Sequence, residues 1–282
     1  MMQKKIFLCS ICNINSGTCN EDCKFCSQSV RYKADIERYK QKDVELIKQE
    51  ALSAEKNGAL GFCLVTSNKG LDDKTLSFVC EVAKEVQKVA PKLRLIGCNG
   101  TATLEQLLTL KEAGIKTYNH NLETSKSYYP NICTTHSWQE RYETCQNVKK
   151  AGLMLISGGI FGLGETQEDR ISMLDALNSL EPNSVPINFY HHNPALELEE
   201  NPLTKEEALS LITLTKERVH TSPRIMVAGG RELMFGDDLA SVLEAGANSI
   251  VIGNYLTTKG GAMSKDLEAL ASLGVTVASE VE

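Results

Sequence analysis

Three cysteines sit close together in Cys19-Asn20-Glu21-Asp22-Cys23-Lys24-Phe25-Cys26, a C-x3-C-x2-C spacing followed at once by Ser27-Gln28-Ser29. Three thiolates so placed can grip three corners of a cubic 4Fe–4S cluster and leave the fourth iron without a protein ligand. An open iron is where a substrate can chelate, so the spacing points to chemistry rather than to plain electron storage. Zinc sites favour paired C-x2-C units or mixtures of cysteine and histidine, and neither fits here.

Other residues suited to holding a ligand lie downstream. In Tyr118-Asn119-His120-Asn121-Leu122-Glu123-Thr124 a strand period of two puts Asn119, Asn121 and Glu123 on one face, with His120 turned the other way as a packing residue. Inward asparagines are poor core filler and suit an amide- or ribose-rich ligand; solvated amides at a strand end are the plainer alternative. The run Ser157-Gly158-Gly159-Ile160-Phe161-Gly162-Leu163-Gly164-Glu165-Thr166 reads as a glycine-rich loop that lets backbone approach a ligand. Val185-Pro186-Ile187-Asn188 closes a later strand on another asparagine. His191-His192 has no evident third ligand and gets no metal assignment.

These residues need a scaffold, and the chain supplies one by alternation. Short β-rich runs near 5–14, 60–66, 93–98, 116–121, 153–158, 184–190, 224–228 and 249–252 alternate with helical patterns such as 43–56, 74–89, 104–112, 138–150, 169–179, 205–218 and 238–244. The pairs Asn57-Gly58, Ala113-Gly114, Ala151-Gly152 and Ala245-Gly246 each end a helix just before a strand. Strands alternating with helices imply a parallel sheet, and eight of them point to a closed (βα)8 barrel of TIM type. No linker, repeat or low-complexity tract divides residues 1–282, so a single domain is expected, with the cluster loop at 15–30 after the first strand. A barrel places its chemistry at the C-terminal ends of the strands, which is where the triplet falls.

Composition bounds the rest. With 282 residues and 42% hydrophobic content the chain can bury one large core. No apolar run reaches membrane-spanning length, and the apolar stretch after the charged head Met1-Met2-Gln3-Lys4-Lys5 is too short for a secretory signal. Ten cysteines in such a chain read as metal binding in a reduced, cytoplasmic compartment rather than as disulfides. A net charge of −6 and the lack of a basic stripe argue against nucleic acid.

The C-x3-C-x2-C triplet is similar to the signature of the radical S-adenosylmethionine (SAM) superfamily. Cys19–Ser29 with Arg31-Tyr32, Tyr118–Thr124, Ser157–Thr166, Val185–Asn188, Gly229-Gly230-Arg231-Glu232 and Ala245-Gly246-Ala247-Asn248-Ser249 together resemble the biotin synthase family. The motifs run in that family's order from Cys9 to about Lys265. The resemblance implies an enzyme that inserts sulfur into dethiobiotin. Cys19, Cys23 and Cys26 would hold the 4Fe–4S cluster, and SAM on its open iron would be cleaved reductively to a 5′-deoxyadenosyl radical. Unactivated carbon–hydrogen bonds offer no acidity, so the cofactor carries the hard step and the protein orients ligands and excludes water. By the same resemblance, Asn121 and Glu123 would hold the SAM ribose, and Gly158, Ile160 and Gly162 would line the adenosine site. Phe25 would cover the adenine, with loop packing as its alternative role. Asn119 and Asn188 would meet the ureido ring of dethiobiotin, whose donors and acceptors suit amides. It further implies an electron donor such as flavodoxin or ferredoxin and a homodimer.

One departure stands out. The family's sulfur source is a second iron–sulfur cluster, commonly 2Fe–2S, held by three strand cysteines and an arginine. Cys63 matches one of these positions, but the others fall on Ile96, Ile156 and Met226. Cys98 lies two residues past Ile96 on the same strand face, as Arg224 does before Met226. The expectation is a variant cluster held by Cys63, Cys98 and Cys12, with Cys9 a weaker candidate because a straight strand turns it away from Cys12. Buried packing is the alternative for Cys12 and Cys98. Cys80 and Cys145 read as helix packing, and Cys133 carries no assigned role. Two further readings remain: a radical SAM enzyme with another small-molecule substrate, and a non-catalytic iron–sulfur carrier.

Overall fold

The structure, a computed structural model, describes residues 5–199, 201–254 and 263–280, so the charged head Met1–Lys4 lies outside the described residues. Nine parallel strands form one curled sheet: β1 (Lys5–Asn13), β2 (Gly61–Val65), β3 (Arg94–Cys98), β4 (Thr117–Asn119), β5 (Met154–Ile156), β6 (Gly159–Phe161), β7 (Val185–Phe189), β8 (Ile225–Val227) and β9 (Ser249–Val251). A tenth, β10 (Thr276–Val277), adds to β1. The order β5-β4-β3-β2-β1-β9-β8-β7-β6 begins and ends on strands that are neighbours in the chain, separated only by Ser157-Gly158. The sheet therefore runs round through one interrupted strand, with β5 bonded to β4 and β6 to β7. This is the expected α/β barrel of TIM type. The glycine-rich run is not wholly a loop, however: its first half, Gly159–Phe161, is a strand.

The helices form where apolar spacing and end signals agree. They are α1 (Val44–Lys56), α2 (Asp73–Val89), α3 (Leu104–Glu112), α4 (Trp138–Lys150), α5 (Gln167–Leu180), α6 (Lys205–Arg218), α7 (Arg231–Phe235), α8 (Leu239–Glu244) and α9 (Met263–Ser272). Thr103, Ser137, Thr166 and Thr204 each close a reciprocal capping box at the start of a helix, satisfying backbone N–H groups that the helix cannot. Gly58, Gly114, Gly152 and Gly246 all take positive φ after their helices, as the turn pattern requires. Short α7, α9 and β10 lack a strong sequence signal and are additions to the expected set.

Two apolar clusters divide the molecule. The larger lies between sheet and helices and includes Ile6, Leu8, Cys12 and Ile14 of the first strand and the residue after it. The smaller fills the barrel interior with Cys9, Cys63, Val65, Ile96, Ile156, Met226, Ala228 and Val251, and Ile11 and Cys98 pack against it. The expected phase of β1 is thus reversed. Cys12 faces the helix layer, where Lys42 Nζ lies 3.9 Å from its sulfur, whereas Cys9 points into the barrel. Both faces of β1 are buried, so its alternation carries no inside–outside contrast.

Candidate active site

The cysteine triplet lies in the loop after β1, held by a dense set of bonds. Cys19 N–H donates to Gln28 O at 3.3 Å, Val30 N–H to Cys19 O at 2.8 Å, and Cys26 N–H to Cys23 O at 3.0 Å. The Gln28 side chain, buried, accepts from Ser16 Oγ at 3.2 Å and from Gly17 N–H at 2.5 Å. Tyr32 Oη donates to Asp22 O at 2.8 Å. The three thiols are free, and the sulfur of Cys23 lies nearest that of Cys133. Burial raises the Cys19 thiol and pushes Cys26 up to about 11; a hydrogen bond to Cys133, and then burial, raises Cys23. Arg141 acts on all three in the opposite sense, favouring thiolate. A soft, all-sulfur donor set on a loop held by many hydrogen bonds fits an iron–sulfur cluster.

Arg141 was not singled out from sequence, yet it ties the site together. From α4 its Nε donates to Tyr129 Oη at 2.7 Å and its Nη1 to Asn121 O at 2.7 Å, while Nη1 lies 3.5 Å from Glu123 Oε1. Glu123 is buried in left-handed backbone at φ 68°, an uncommon conformation for a residue with a side chain. Its main chain bridges to β6, with Ile160 N–H donating to Glu123 O at 2.8 Å. Burial raises its carboxyl above the usual range, against the pull of Arg141. Its Oε2 is buried with no hydrogen-bond partner, and so is Asn119 Oδ1. Two buried, unmatched acceptors at the strand ends are costly unless a ligand meets them, so they fit donors such as ribose hydroxyls or an amide N–H.

The other expected contacts have mixed placements. Asn121 Oδ1 accepts from Gly158 N–H at 3.2 Å, so part of its amide secures the strand interruption. Gly158 itself is demanded by packing: a Cβ there would sit 1.9 Å from Pro186 O. Gly162 takes φ 89°, with its N–H donated to Glu165 Oε1 at 3.0 Å. Asn188 donates to Gly159 O at 3.1 Å and accepts from Gly229 N–H at 2.8 Å, leaving one N–H and one lone pair for a ligand. Ile160 and Phe25 are half-buried against the larger core cluster. His120 is buried, and burial drives its imidazole toward the neutral form, as befits packing.

A second group missed in the sequence faces the triplet. Cys133 and His136, from the segment before α4, reach the cluster loop. Cys133 Sγ lies 3.6 Å from Cys23 Sγ, 3.3 Å from His136 Nδ1 and 3.3 Å from Asp22 Oδ1. Glu21 Oε2 pairs with His136 Nδ1 at 2.7 Å, and Asp22 accepts from the backbone of Thr134 and Thr135. The spacing Cys133-x-x-His136 was the available signal, but only its partners over a hundred positions earlier give it meaning.

Below the strand ends, Asn119 Nδ2 lies 3.5 Å from Cys98 Sγ, and Cys63 and Cys98 both belong to the barrel interior. The neighbouring Cys98, and then burial, raise the Cys63 thiol, whereas Cys63 lowers Cys98.

Comparison with known proteins gives the family. Residues 14–177 match the Radical SAM superfamily model, and residues 186–276 match the Biotin and Thiamin Synthesis associated domain. Biotin synthase of Sulfurimonas denitrificans is 71% identical over the whole of both chains, and that of Aliarcobacter butzleri is 58% identical over 99% of this chain and 98% of its own. The chain belongs to the biotin synthase family. Among solved structures, a FeFe-hydrogenase maturase from Carboxydothermus hydrogenoformans superposes with a TM-score of 0.84 at 16% identity, covering 99% of this chain and 68% of that one. Methylornithine synthase gives 0.83 at 18% identity, covering 98% and 84%. These two likenesses speak for the barrel alone, whereas biotin synthase relatives match throughout. Radical SAM membership brings a 4Fe–4S cluster and SAM, which removes the non-catalytic carrier from consideration.

Proposed function

We infer that the chain converts dethiobiotin to biotin by sulfur insertion. When bound, the 4Fe–4S cluster and SAM supply the hydrogen-abstracting radical, and a second iron–sulfur cluster supplies the sulfur. The observation that carries the reading is the pair of unmatched buried acceptors at the strand ends, Glu123 Oε2 and Asn119 Oδ1, the latter on a side chain that touches the Cys98 thiol.

Cys19, Cys23 and Cys26 hold the 4Fe–4S cluster, and loading it requires that their raised thiols give up protons. Arg141 favours that loss and braces Glu123 and Asn121 against the SAM ribose. Gly158, Ile160 and Gly162 line the adenosine side, the first by keeping β5 and β6 close to β7, and Phe25 covers the adenine. Asn119 and Asn188 orient the ureido ring through their remaining hydrogen-bonding capacity. None of these groups works as a general acid or base; they position two ligands and keep water out. The chain acts as a single domain over 1–282, as a cytoplasmic homodimer, reduced by a flavodoxin or ferredoxin.

Anaerobic reconstitution with iron and sulfide, followed by SAM, a low-potential reductant and dethiobiotin, tests this by mass spectrometry. Biotin together with 5′-deoxyadenosine supports sulfur insertion. Deoxyadenosine without biotin, with iron beyond one cubane per chain, overturns it in favour of another substrate.

A further inference from the structure

Ile96, Ile156 and Met226 leave the barrel interior without the family's usual second-cluster ligands, yet that interior is not purely apolar. We propose that Cys9, Cys63 and Cys98 are the protein ligands of the second iron–sulfur cluster. This rests on the sulfur-insertion reading above and replaces the expected Cys12.

Three observations support the set. The three residues belong to adjacent strands, in the order β2 between β1 and β3, and all three join the interior cluster, whereas Cys12 lies on the opposite face of β1. Cys9 and Cys63 are buried within that cluster, and Cys98 packs against it one strand further along. All three thus line the same interior wall, which Cys12 does not.

Space is the second argument. Gly61 lies two residues before Cys63, in register with Cys9, on the inward face of β2. A Cβ at Gly61 would sit 2.9 Å from Ile96 Cδ1 and 3.1 Å from Cys9 Sγ. Glycine keeps the wall beside Cys9 free of a side chain. Around the sulfurs stand Val65, Ile96, Ile156, Met226, Ala228 and Val251, a lining that offers a thiolate-bound cluster low polarity and little water.

The third is position. Asn119 contacts Cys98 through Nδ2 while its Oδ1 has no partner, so a ligand bound by Asn119 would lie beside the proposed cluster. A sulfur donor must lie within reach of the carbon it modifies, and this ligand set puts it there.

The test uses the full chain, reconstituted anaerobically with iron and sulfide, with iron and acid-labile sulfide counted and iron environments separated by Mössbauer spectroscopy. The wild type is expected to hold iron and sulfide beyond one cubane. Cys9→Ser, Cys63→Ser and Cys98→Ser are each expected to fall to about one cubane, and Cys12→Ser to match the wild type. Serine nearly preserves volume, and circular dichroism identifies any variant lost to misfolding; Cys→Ala at the same position then replaces it. Wild-type content of one cubane, or loss in Cys12→Ser with retention in the three interior variants, overturns the proposal. Biotin formation by the wild type reports separately on the underlying reading: biotin with unchanged iron in all interior variants sinks the ligand set alone, whereas extra iron without biotin sinks only the reading.

Discussion

Cys23 Sγ and Cys133 Sγ lie 3.6 Å apart, joining the cluster loop to a segment 110 residues later in the chain. A disulfide needs about 2.0 Å between sulfurs, so side-chain rotation of both residues could close the pair. In the cluster-free chain, hydrogen peroxide is expected to oxidise the two thiols to one disulfide while being reduced to water. Peptide mapping should recover the Cys23–Cys133 link as the main cross-link, and the cluster-loaded chain should resist it because Cys23 is engaged. A main cross-link between Cys19 and Cys23 instead would show that the loop does not keep this geometry without its cluster.

Arg141 is expected to be the most sensitive residue that sequence reading passed over. Arg141→Met removes the cation from a buried carboxylate and from a tyrosine hydroxyl and a backbone carbonyl. Breaking such a buried pair costs about 3–5 kcal/mol, less whatever Glu123 recovers by taking a proton. Because burial already raises the Glu123 carboxyl, the variant's cost is largest above its folded pKa and shrinks as pH falls through it. Urea denaturation along a series from pH 7.5 down to pH 4.5 should show the gap between wild type and variant narrowing as pH falls. A gap that is constant or widens over the whole series would remove Glu123 as the partner that matters.

The glycine-rich run contains two different kinds of glycine. A Cβ at Gly158 would collide with the Pro186 carbonyl at 1.9 Å, and backbone cannot yield as a side-chain tip can. Gly162 has Leu203 Cδ1 as its nearest neighbour at 3.3 Å, so its alanine variant meets mainly the strain of φ 89°. Gly162→Ala is expected to cost about 1–2 kcal/mol, and Gly158→Ala about 3 kcal/mol or more, with loss of soluble protein as its extreme. Chemical denaturation ranks the two, and equal costs would mean that the β5–β6 interruption is not held by close backbone approach.

Sequence alone located all eight barrel strands because each is a short apolar run bounded by a turn signal, and it located the cysteine loop because its spacing is local. It misassigned Cys12 and Cys9 for a physical reason. A strand buried on both faces alternates between two apolar surroundings, so periodicity gives the step but not the phase. Gly159–Phe161 read as loop because glycines lower strand propensity, while its pairing with β7 is a tertiary effect. Arg141 sits in a helix whose sequence looks ordinary, and its partners Asn121 and Tyr129 become visible only when α4 packs across the strand ends.

Glu123 supplies the most direct test of the SAM site. The unpartnered Oε2 offers a charged acceptor, and Glu123→Gln keeps the shape while replacing that oxygen or its neighbour with a donor. A hydrogen bond to a charged group is worth about 1.5–3 kcal/mol, which corresponds to roughly a 10- to 150-fold loss in SAM affinity. The cluster itself should load normally, since its ligands are the three loop cysteines. Equilibrium binding of SAM to the reconstituted variant, with the cluster absorbance as an internal reference, separates the two effects. Unchanged SAM affinity with intact absorbance would take Glu123 out of the cofactor site and leave its orphaned oxygen to be met by dethiobiotin.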